Sequence, residues 1–385
     1  MTTRVLVALG TRPEAIKLAP VMRQLKNAPD AFEARLCVTA QHREMLDQML
    51  QVFELRPDAD LNLMRSSQTL AQSTARILTG MTRVLQAWRP DWLVVQGDTT
   101  TAMASALAAF YLRTPVAHVE AGLRTGDCFA PFPEEINRRI ADTVAGVHFA
   151  PTERAAENLR RESIPESSIV VTGNTGVDAL LYAVGVNRPS LIDALLGRLR
   201  GLKVITVTAH RRESFGPPLE RICRAIVRVA ARFPKDVHVV YPVHLNPSVQ
   251  RVARKILGQV DNISLIEPLD YVAFAKLLQA SHFLMTDSGG IQEEAPSLGK
   301  PVLVLREITE RPEAVEAGTA EVVGTSEAQI EEAAVRLLTS PAAYNRMVAS
   351  RNPFGDGRAS ERIVLEIARR TQMSVQGALA GVGAL

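Results

Sequence analysis

Two doubly wound α/β units, each a parallel sheet covered by helices, are what this 385-residue sequence predicts. Three observations carry the prediction. The length fits two domains of roughly 100–200 residues each. Short β-branched runs alternate with helical patterns along the whole chain. Most of those runs are apolar on both alternating faces, as strands covered from both sides must be.

In chain order, strands are expected at 5–9, 35–39, 92–96, 115–119, 147–150 and 169–172, then at 203–208, 237–241, 263–266, 282–286, 302–305 and 321–323. The first helix is expected over 13–26. Pro13 takes its first position, where a missing N–H does no harm, and Ile16, Leu18, Ala19, Met22 and Leu25 supply its apolar residues. Further helices are expected over 100–112, 134–145, 152–162, 218–232 and 327–338. Gly173-Asn174-Thr175-Gly176 closes the first half. The poorly patterned stretch that follows, with Gly185, Pro189 and Gly197, reads as a hinge. The expected division is therefore a first domain at 1–172, a hinge at 173–202 and a second domain at 203–357. A last helix over 359–372 follows the turn-rich Asn352-Pro353-Phe354-Gly355-Asp356-Gly357, and the final GALAGVGAL reads as a flexible tail.

Composition removes several function classes. The 44 basic and 41 acidic residues leave a formal charge of +3, without the basic excess of a nucleic-acid surface. Cys37, Cys128 and Cys223 are far apart and form no CxxC pair, which argues against a disulfide framework or a cysteine-built zinc site and suits a reducing compartment. No HExxH or HxxxH spacing occurs, so no metal site is expected. The start of the chain lacks a cleavage-type signal. The longest uncharged runs, such as 99–112, fall short of the roughly 20 residues a membrane span needs. The expectation is a soluble cytoplasmic protein with no nucleic-acid or membrane partner.

In open α/β sheets, ligands bind beyond the carboxyl ends of the strands, so the loops there carry the chemistry. After the first strand, Gly10-Thr11-Arg12-Pro13-Glu14 and then Lys17 offer free backbone N–H groups and positive charge. This suits phosphate, and reads equally as a capped helix with solvated charges. There is no GxGxxG or GxxxxGK[ST] segment. In the second half, Asp287-Ser288-Gly289-Gly290 opens a helix whose paired glycines leave room for a ligand against the main chain. Glu293 and Glu294 follow one turn later, where a carboxylate can accept hydrogen bonds from a ribose diol. His210, between a buried strand and Arg211-Arg212, is placed to touch an anion or move a proton. His118, His148, His238 and His282 read as structural.

Carboxylates at the strand ends are the sharpest signal. Asp98, Glu120, and the pair Glu134 and Glu135 all fall where a parallel sheet gathers its loops. Asp98 also reads as a helix N-cap, and Glu134 and Glu135 as first-turn acids that favour the helix dipole. Glu120 has no comparable structural reading. Three carboxylates beside cationic groups can transfer protons and stabilise a developing cation. Asp58-Ala59-Asp60 has the DxD spacing of metal-dependent sugar transfer, but its Pro-flanked position reads as a solvated loop.

GTRPEAIK (10–17), TAQHREMLDQ (39–48), QGDTTT (96–101), HVEAGLRTGD (118–127), PFPEEINRR (131–139), GNTGVDALL (173–181), AHRRESFG (209–216), YPVHLNP (241–247), TDSGGIQEEAPSLGKPV (286–302), TERPEAVEAGT (309–319) and NPFGDGRA (352–359) occur in this order. Together they resemble the non-hydrolysing UDP-N-acetylglucosamine 2-epimerases from the first strand to the last helix. The resemblance implies a GT-B fold: two Rossmann-like domains facing a central cleft, with UDP on the second and the last helix crossing back to the first. It implies reversible conversion of UDP-GlcNAc to UDP-ManNAc, usually by a homodimer and for polysaccharide precursors, with no nicotinamide and no catalytic metal.

The family's route expels UDP, leaves 2-acetamidoglucal, and re-adds UDP with protonation of C2 from the other face. By motif, Asp98, Glu120 and Glu134 resemble the catalytic carboxylates, with their faces of C2 unassigned, and His210 the histidine near UDP. Arg12 and Lys17 match basic active-site positions, Ser288, Gly289 and Gly290 the pyrophosphate site, and Glu294 the ribose ligand. Gln41, Arg212 and His244 match an activating UDP-GlcNAc site of bacterial members, although Glu44 and Ser67 stand where some members carry Gln and Arg. The alternatives are a 2-epimerase of a modified UDP-HexNAc, such as a diacetamido-uronate, and a GT-B glycosyltransferase, which requires an acceptor. The first-half carboxylates and the GTRPE loop argue against the latter.

Overall fold

A computed structural model describes residues 2–39, 43–63, 68–211 and 214–382, with side chains of 43–45 and 373–382 left aside. Two compact units emerge: residues 1–179 with 354–385, and residues 180–353.

The first unit contains β1 (Thr3–Leu9), α1 (Arg12–Lys26), β2 (Phe32–Val38), α2 (Arg43–Val52), β3 (Ala59–Asp60), α3 (Leu70–Trp88), β4 (Trp92–Gln96), α4 (Thr100–Tyr111), β5 (Val116–Val119), α5 (Glu134–Val144), β6 (Val147–Ala150), α6 (Glu153–Arg161) and β7 (Ile169–Val171). Then α7 (Thr175–Gly185) carries the chain to the second unit. Its sheet has the order β3-β2-β1-β4-β5-β6-β7, with every pairing parallel. Strand order reverses between β1 and β4, so the loops after those two strands flank the crevice where such sheets bind ligands.

The second unit contains α8 (Asp193–Arg198), β8 (Lys203–Thr208), α9 (Pro217–Arg232), β9 (Val237–Pro242), α10 (Pro247–Leu257), β10 (Ile263–Ile266), α11 (Tyr271–Ala280), β11 (Ser281–Thr286), α12 (Gly289–Glu294), β12 (Val302–Val304), α13 (Pro312–Glu316), β13 (Ala320–Val322), α14 (Glu327–Thr339) and α15 (Pro341–Ala349). Its sheet runs β10-β9-β8-β11-β12-β13, with the same reversal between β8 and β11. The final helix, α16 (Ala359–Val382), returns to the first unit.

Each core forms where apolar strand faces meet helix stripes. In the first unit, Leu6, Ala8, Leu93 and Val95 pack with Ile77, Met81 and Leu85 of α3 and with the alanine-rich α4. In the second, Ile205, Val207, Val239, Phe283 and Met285 pack with Ile222, Ile226 and Val229 of α9 and with Ile330 and Leu337 of α14. Each fully buried side chain of this size contributes about 1.5–3 kcal/mol relative to exposure. The last helix is tied down by a buried carboxylate. Asp178 accepts from Ser360 N at 2.8 Å, Ser360 Oγ at 2.6 Å and Ala359 N at 3.2 Å, satisfying backbone donors that a helix start leaves unpaired.

Several expectations are corrected. Residues 58–60 are no free loop: Ala59 and Asp60 pair with Cys37 and Val38 as an edge strand, and Asp58 Oδ2 accepts from Leu36 N at 2.8 Å. Both acids nearest the DxD spacing therefore serve the backbone, since Asp60 Oδ1 accepts from Asn62 N at 3.0 Å. The stretch after Asn174 is largely helical, as α7 and α8, because the apolar run of α7 is buried on several sides and shows no amphipathic stripe. Helices α3, α10, α11 and α15 add to those expected, and α16 continues to Val382.

Candidate active site

The loop after β1 is shaped by a capping box. Thr11 Oγ1 accepts from Glu14 N at 3.5 Å, and the Glu14 carboxylate accepts in return from Thr11 N at 2.8 Å. Glu14 does more than cap. It also accepts from Gly10 N at 3.0 Å, Thr11 Oγ1 at 2.8 Å and Thr99 Oγ1 at 2.6 Å, so it joins the β1 loop to the β4 loop. Burial pushes its pKa up to about 7, against the pull of the hydroxyls of Thr99 and Thr11 and the N–H groups of Gly10 and Thr11. Nothing in the sequence reading singled out Glu14, although the T-x-x-E spacing of its cap was there to be read.

Glu120 ends β5 with φ at 63°, in the left-handed region. A side chain there costs about 1–2 kcal/mol, a strain that clusters at functional sites. Its carboxylate is 8% exposed and is met by Lys17 Nζ, Gln96 Nε2 and, at 3.4 Å, Asn174 Nδ2. One charged and two amide donors thus surround one carboxylate, contributed by α1, β4 and the loop before α7.

Asp98 follows β4. The helix cap is its neighbour Thr99, whose Oγ1 accepts from Ala102 N at 3.0 Å, so the N-cap reading of Asp98 is corrected. Asp98 is instead held from α5: its carboxylate pairs with Arg138, and its carbonyl accepts from Asn137 Nδ2 at 2.9 Å. Glu134 lies three and four positions before these two residues, on the same helix face. Among the described residues its carboxylate has no hydrogen-bond or ion-pair partner. Glu135 differs completely. It is buried, accepts from Thr125 N at 3.1 Å and Gly126 N at 3.4 Å, and pairs with Arg138 and Arg139. Burial raises its pKa, but those hydrogen bonds and Arg138 bring it below the usual value. The two adjacent glutamates are thereby separated into an anchored one and a free one.

Arg12 and Lys17 part company. Five positions correspond to about 140° of helix rotation. Lys17 turns inward to Glu120, while Arg12 stays exposed at the start of α1.

In the second unit, Asp287 organises the loop after β8. Fully buried, it accepts from His210 N at 2.7 Å and Arg211 N at 2.8 Å through Oδ2, and its Oδ1 lies 3.4 Å from His210 Nδ1. The His210 ring stacks on His244 at 5.4 Å between centroids. Burial lowers the His210 pKa, with His244 and Arg211 adding to the fall and Asp287 opposing it. Ser288 sits at the N-cap of α12 without a side-chain cap bond, leaving its hydroxyl and the following N–H groups to a ligand. A Cβ on Gly290 would meet nothing within 4 Å, and one on Gly289 only the Arg311 guanidinium at 3.6 Å. Glu293 is buried and pairs with Arg311, while its carbonyl accepts from Asn352 Nδ2 at 2.9 Å. Glu294, next along, is half-buried near Tyr271.

Thus Lys17 and Glu120 are brought together, Asp98 is held by Asn137 and Arg138 of the helix that Glu134 begins, and His210 lies beside the loop that leads into Ser288. Gln41, Arg212 and Ser67 lie outside the described residues, as does the side chain of Glu44. His244, which the resemblance matches to an activating site, is described and exposed. The supporting partners Glu14, Gln96, Asn174, Arg138 and Asp287 were not foreseen. Among the described residues, no group of three or more His, Cys, Asp or Glu is placed to hold a metal, and no helix is long and apolar enough to cross a membrane.

A family model described as UDP-N-acetylglucosamine 2-epimerase matches residues 23–368. A UDP-N-acetylglucosamine 2-epimerase of Yersinia pestis is 54% identical over 367 residues, covering 94% of this chain and 97% of its own. That of Escherichia coli (strain K12) is 50% identical over 380 residues, covering 97% and 100%. The solved structure of UDP-GlcNAc 2-epimerase from Neisseria meningitidis, bound to UDP-GlcNAc, superposes with a TM-score of 0.84 at 46% identity, covering 95% of this chain and all of that one. With two Rossmann-like parallel sheets in one chain and this similarity along nearly its whole length, the protein belongs to the UDP-N-acetylglucosamine 2-epimerase family, an enzyme family with the GT-B fold.

Proposed function

We propose that the protein interconverts UDP-GlcNAc and UDP-ManNAc by expelling UDP and re-adding it. The carrying observation is Glu120, held by strained backbone among Lys17, Gln96 and Asn174, at the same sheet edge as Asp98. The C2 proton of an N-acetylhexosamine has no adjacent carbonyl to acidify it. Breaking the C1–O bond toward UDP builds positive charge at C1, and the C2 proton can then leave to a carboxylate. The bonding pair of C2–H becomes the C1–C2 double bond of 2-acetamidoglucal, and UDP leaves with the C1–O pair. In return, UDP oxygen attacks C1 while an acid protonates C2 from the opposite face. Asp98, Glu120 and Glu134 supply the proton transfers. Lys17 pairs with Glu120 and holds its carboxylate in place.

In this reading, Ser288, Gly289 and Gly290 hold the pyrophosphate through backbone N–H groups, Arg12 adds charge to it, and Glu294 takes the ribose. His210, kept largely neutral by burial, donates to or accepts from the leaving UDP. By motif, Gln41, Arg212 and His244 are the residues proposed to respond to an activating nucleotide sugar. A cytoplasmic homodimer that feeds polysaccharide synthesis is part of the same proposal, as the resemblance to the family implies. Incubation with UDP-GlcNAc in D2O tests the core of this reading. Deuterium appearing at C2 of both epimers is the expected result, whereas bound but unlabelled UDP-GlcNAc sinks it.

A further inference from the structure

We propose that His118 is a buried imidazolium, donating from both ring nitrogens, and that it is the positioning residue that fixes Asp98 and Glu120. The role assigned to those two carboxylates rests on the function proposed above, but the charge state does not.

The geometry leaves the ring no acceptor role. His118 is fully buried on β5, with Nδ1 at 2.6 Å from Asp142 Oδ1 and Nε2 at 2.8 Å from the Gly97 carbonyl oxygen. A carbonyl oxygen only accepts. The Asp142 carboxylate could donate only if protonated, yet its other oxygen accepts from Arg124 Nη2 at 2.7 Å and Gly122 N at 3.3 Å, which favours the ionised form. A neutral ring in either tautomer would therefore point a nitrogen lone pair at an oxygen lone pair inside a buried site, where unmet polar groups are expensive.

The neighbouring charges agree. The groups facing the ring are Asp142 on α5, Arg124 in the loop after β5 and His148 on β6, its register partner across the sheet. Arg124 also pairs with Glu162 at 2.6 Å. Glu162 is exposed, so the charges buried around the ring are Asp142 and Arg124, and Asp142 is the carboxylate that an imidazolium at His118 meets directly. Burial pulls the His118 pKa down, but the charge and hydrogen bond of Asp142 and the Gly97 carbonyl overcome it, and the net shift is upward. His148 differs in its partners: it meets two carbonyl oxygens, of Asp142 at 2.7 Å and, more distantly, of Ser168 at 3.4 Å, and no carboxylate, and burial with the His118 charge lowers its pKa.

The position gives the charge its use. Gly97 has φ at 69° and joins Gln96, a partner of Glu120, to Asp98. The imidazolium clamps that peptide from below, and on its own strand His118 stands two residues before Glu120. Nothing else on β5 bonds the Gly97 carbonyl.

The test has two arms. In 15N-labelled protein, with His118 assigned by through-bond correlation to its own backbone, both ring nitrogens should show protonated shifts from about pH 6 to pH 8. An unprotonated nitrogen on His118 at pH 7 overturns the proposal. This arm uses the unmodified protein and holds even if the variant folds poorly or the wild type exchanges no deuterium, which would count against the function alone. In the kinetic arm, His118→Gln should lower kcat by about 10–100-fold with UDP affinity within about threefold. The acidic limb of its pH–rate profile should move to higher pH, because a cation two residues from the strand end is lost. A folded variant with an unmoved limb and an unchanged kcat overturns the positioning role.

Discussion

At the carboxyl edge of the first sheet, side chains meet side chains: Lys17 and Gln96 on Glu120, Arg138 on Asp98, Thr99 on Glu14. At the same edge of the second sheet, where Glu293 also pairs with Arg311, several side chains instead hold the main chain. Asp287 holds the N–H groups of His210 and Arg211, Asn352 the carbonyl of Glu293, and Gln292 the carbonyl of Ser288 at 3.1 Å. In the proposed function, the first arrangement positions the groups that move protons, and the second holds a backbone whose N–H groups face an anion. On that proposal, one topology used twice has one edge for chemistry and one for grip.

The largest effect should therefore come from disturbing the first edge without touching the second. Glu120→Gln keeps shape and most hydrogen bonding but removes the base, so kcat should fall by about 10²–10⁴-fold. UDP affinity, measured by calorimetry, should stay within a few fold. If UDP binding collapses together with turnover, the two edges are not separable and Glu120 serves the structure.

The units should also respond to pH in opposite senses. Glu14 in the first unit has its pKa raised by burial from 4.5 to about 7. Below 4.5 both states hold the proton. Between 4.5 and 7 only the unfolded state releases it, so this contribution to stability falls as pH rises. His282 in the second unit is lowered from 6.5 to about 4, first by burial and then by Lys203. Between 6.5 and 4 the unfolded state takes up a proton that the folded state refuses, so its contribution falls as pH drops. Each slope is at most about 1.4 kcal/mol per pH unit, and His282, partly exposed, should give less. Hydrogen exchange at pH 5 and pH 7 should show Glu14→Gln changing the pH dependence of the first unit only, and His282→Phe that of the second only. Identical pH responses in both variants would remove the distinction.

How far this division could be read from the sequence depends on the residue. Strands 92–96, 147–150, 203–208 and 263–266 agree with the structure to the residue, because each is a short apolar run between sharp polar boundaries. The two-residue β3 carries no such run and exists only because β2 offers it an edge. Helix α3 was legible in principle, since Thr69 and Gln72 form a capping box and Ile77, Met81, Leu85 and Trp88 make a buried stripe. Among site residues, strand-end acids were visible because a loop after a parallel strand is a known place for ligands. Glu134 and Glu135 could not be told apart: which one turns inward to Thr125 and Arg138 depends on the helix phase against a loop nine residues upstream. Gln96, Asn174 and Asp287 are ordinary polar residues until the fold sets each against its partner.

Glycines sharpen the comparison at a smaller scale. A Cβ on Gly10 would sit inside the contact distance of the Thr39 and Thr101 hydroxyls, which are themselves bonded at 2.8 Å. Gly10→Ala should therefore destabilise the first unit by about 1–3 kcal/mol, seen as a lower denaturant midpoint. Gly290 has open space around its Cβ position. Gly290→Ala should leave stability unchanged or raise it by about 0.5–1 kcal/mol, as Ala does in helices. It should weaken UDP about tenfold, or about 1.4 kcal/mol, by filling the ligand's approach to the main chain. Unchanged UDP affinity would mean that no ligand comes close at Gly290.

Arg12 gives the smallest structural effect and the finest discrimination. It is exposed at the first turn of α1, and among the described residues it forms no ion pair. Lys17, by contrast, is turned toward Glu120. If the first edge contributes charge to the leaving UDP, Arg12 is the cation available for it. Arg12→Gln should shift stability by less than about 0.5 kcal/mol, as surface changes do. Affinity for UDP should fall by about tenfold, and more steeply at low salt, because an exposed cation acts through a screened field. Equal affinity in wild type and variant at low salt would confine anion binding to the Ser288–Gly290 loop. The first edge would then be left with proton transfer alone, which is the cleanest form of the division between the two sheets.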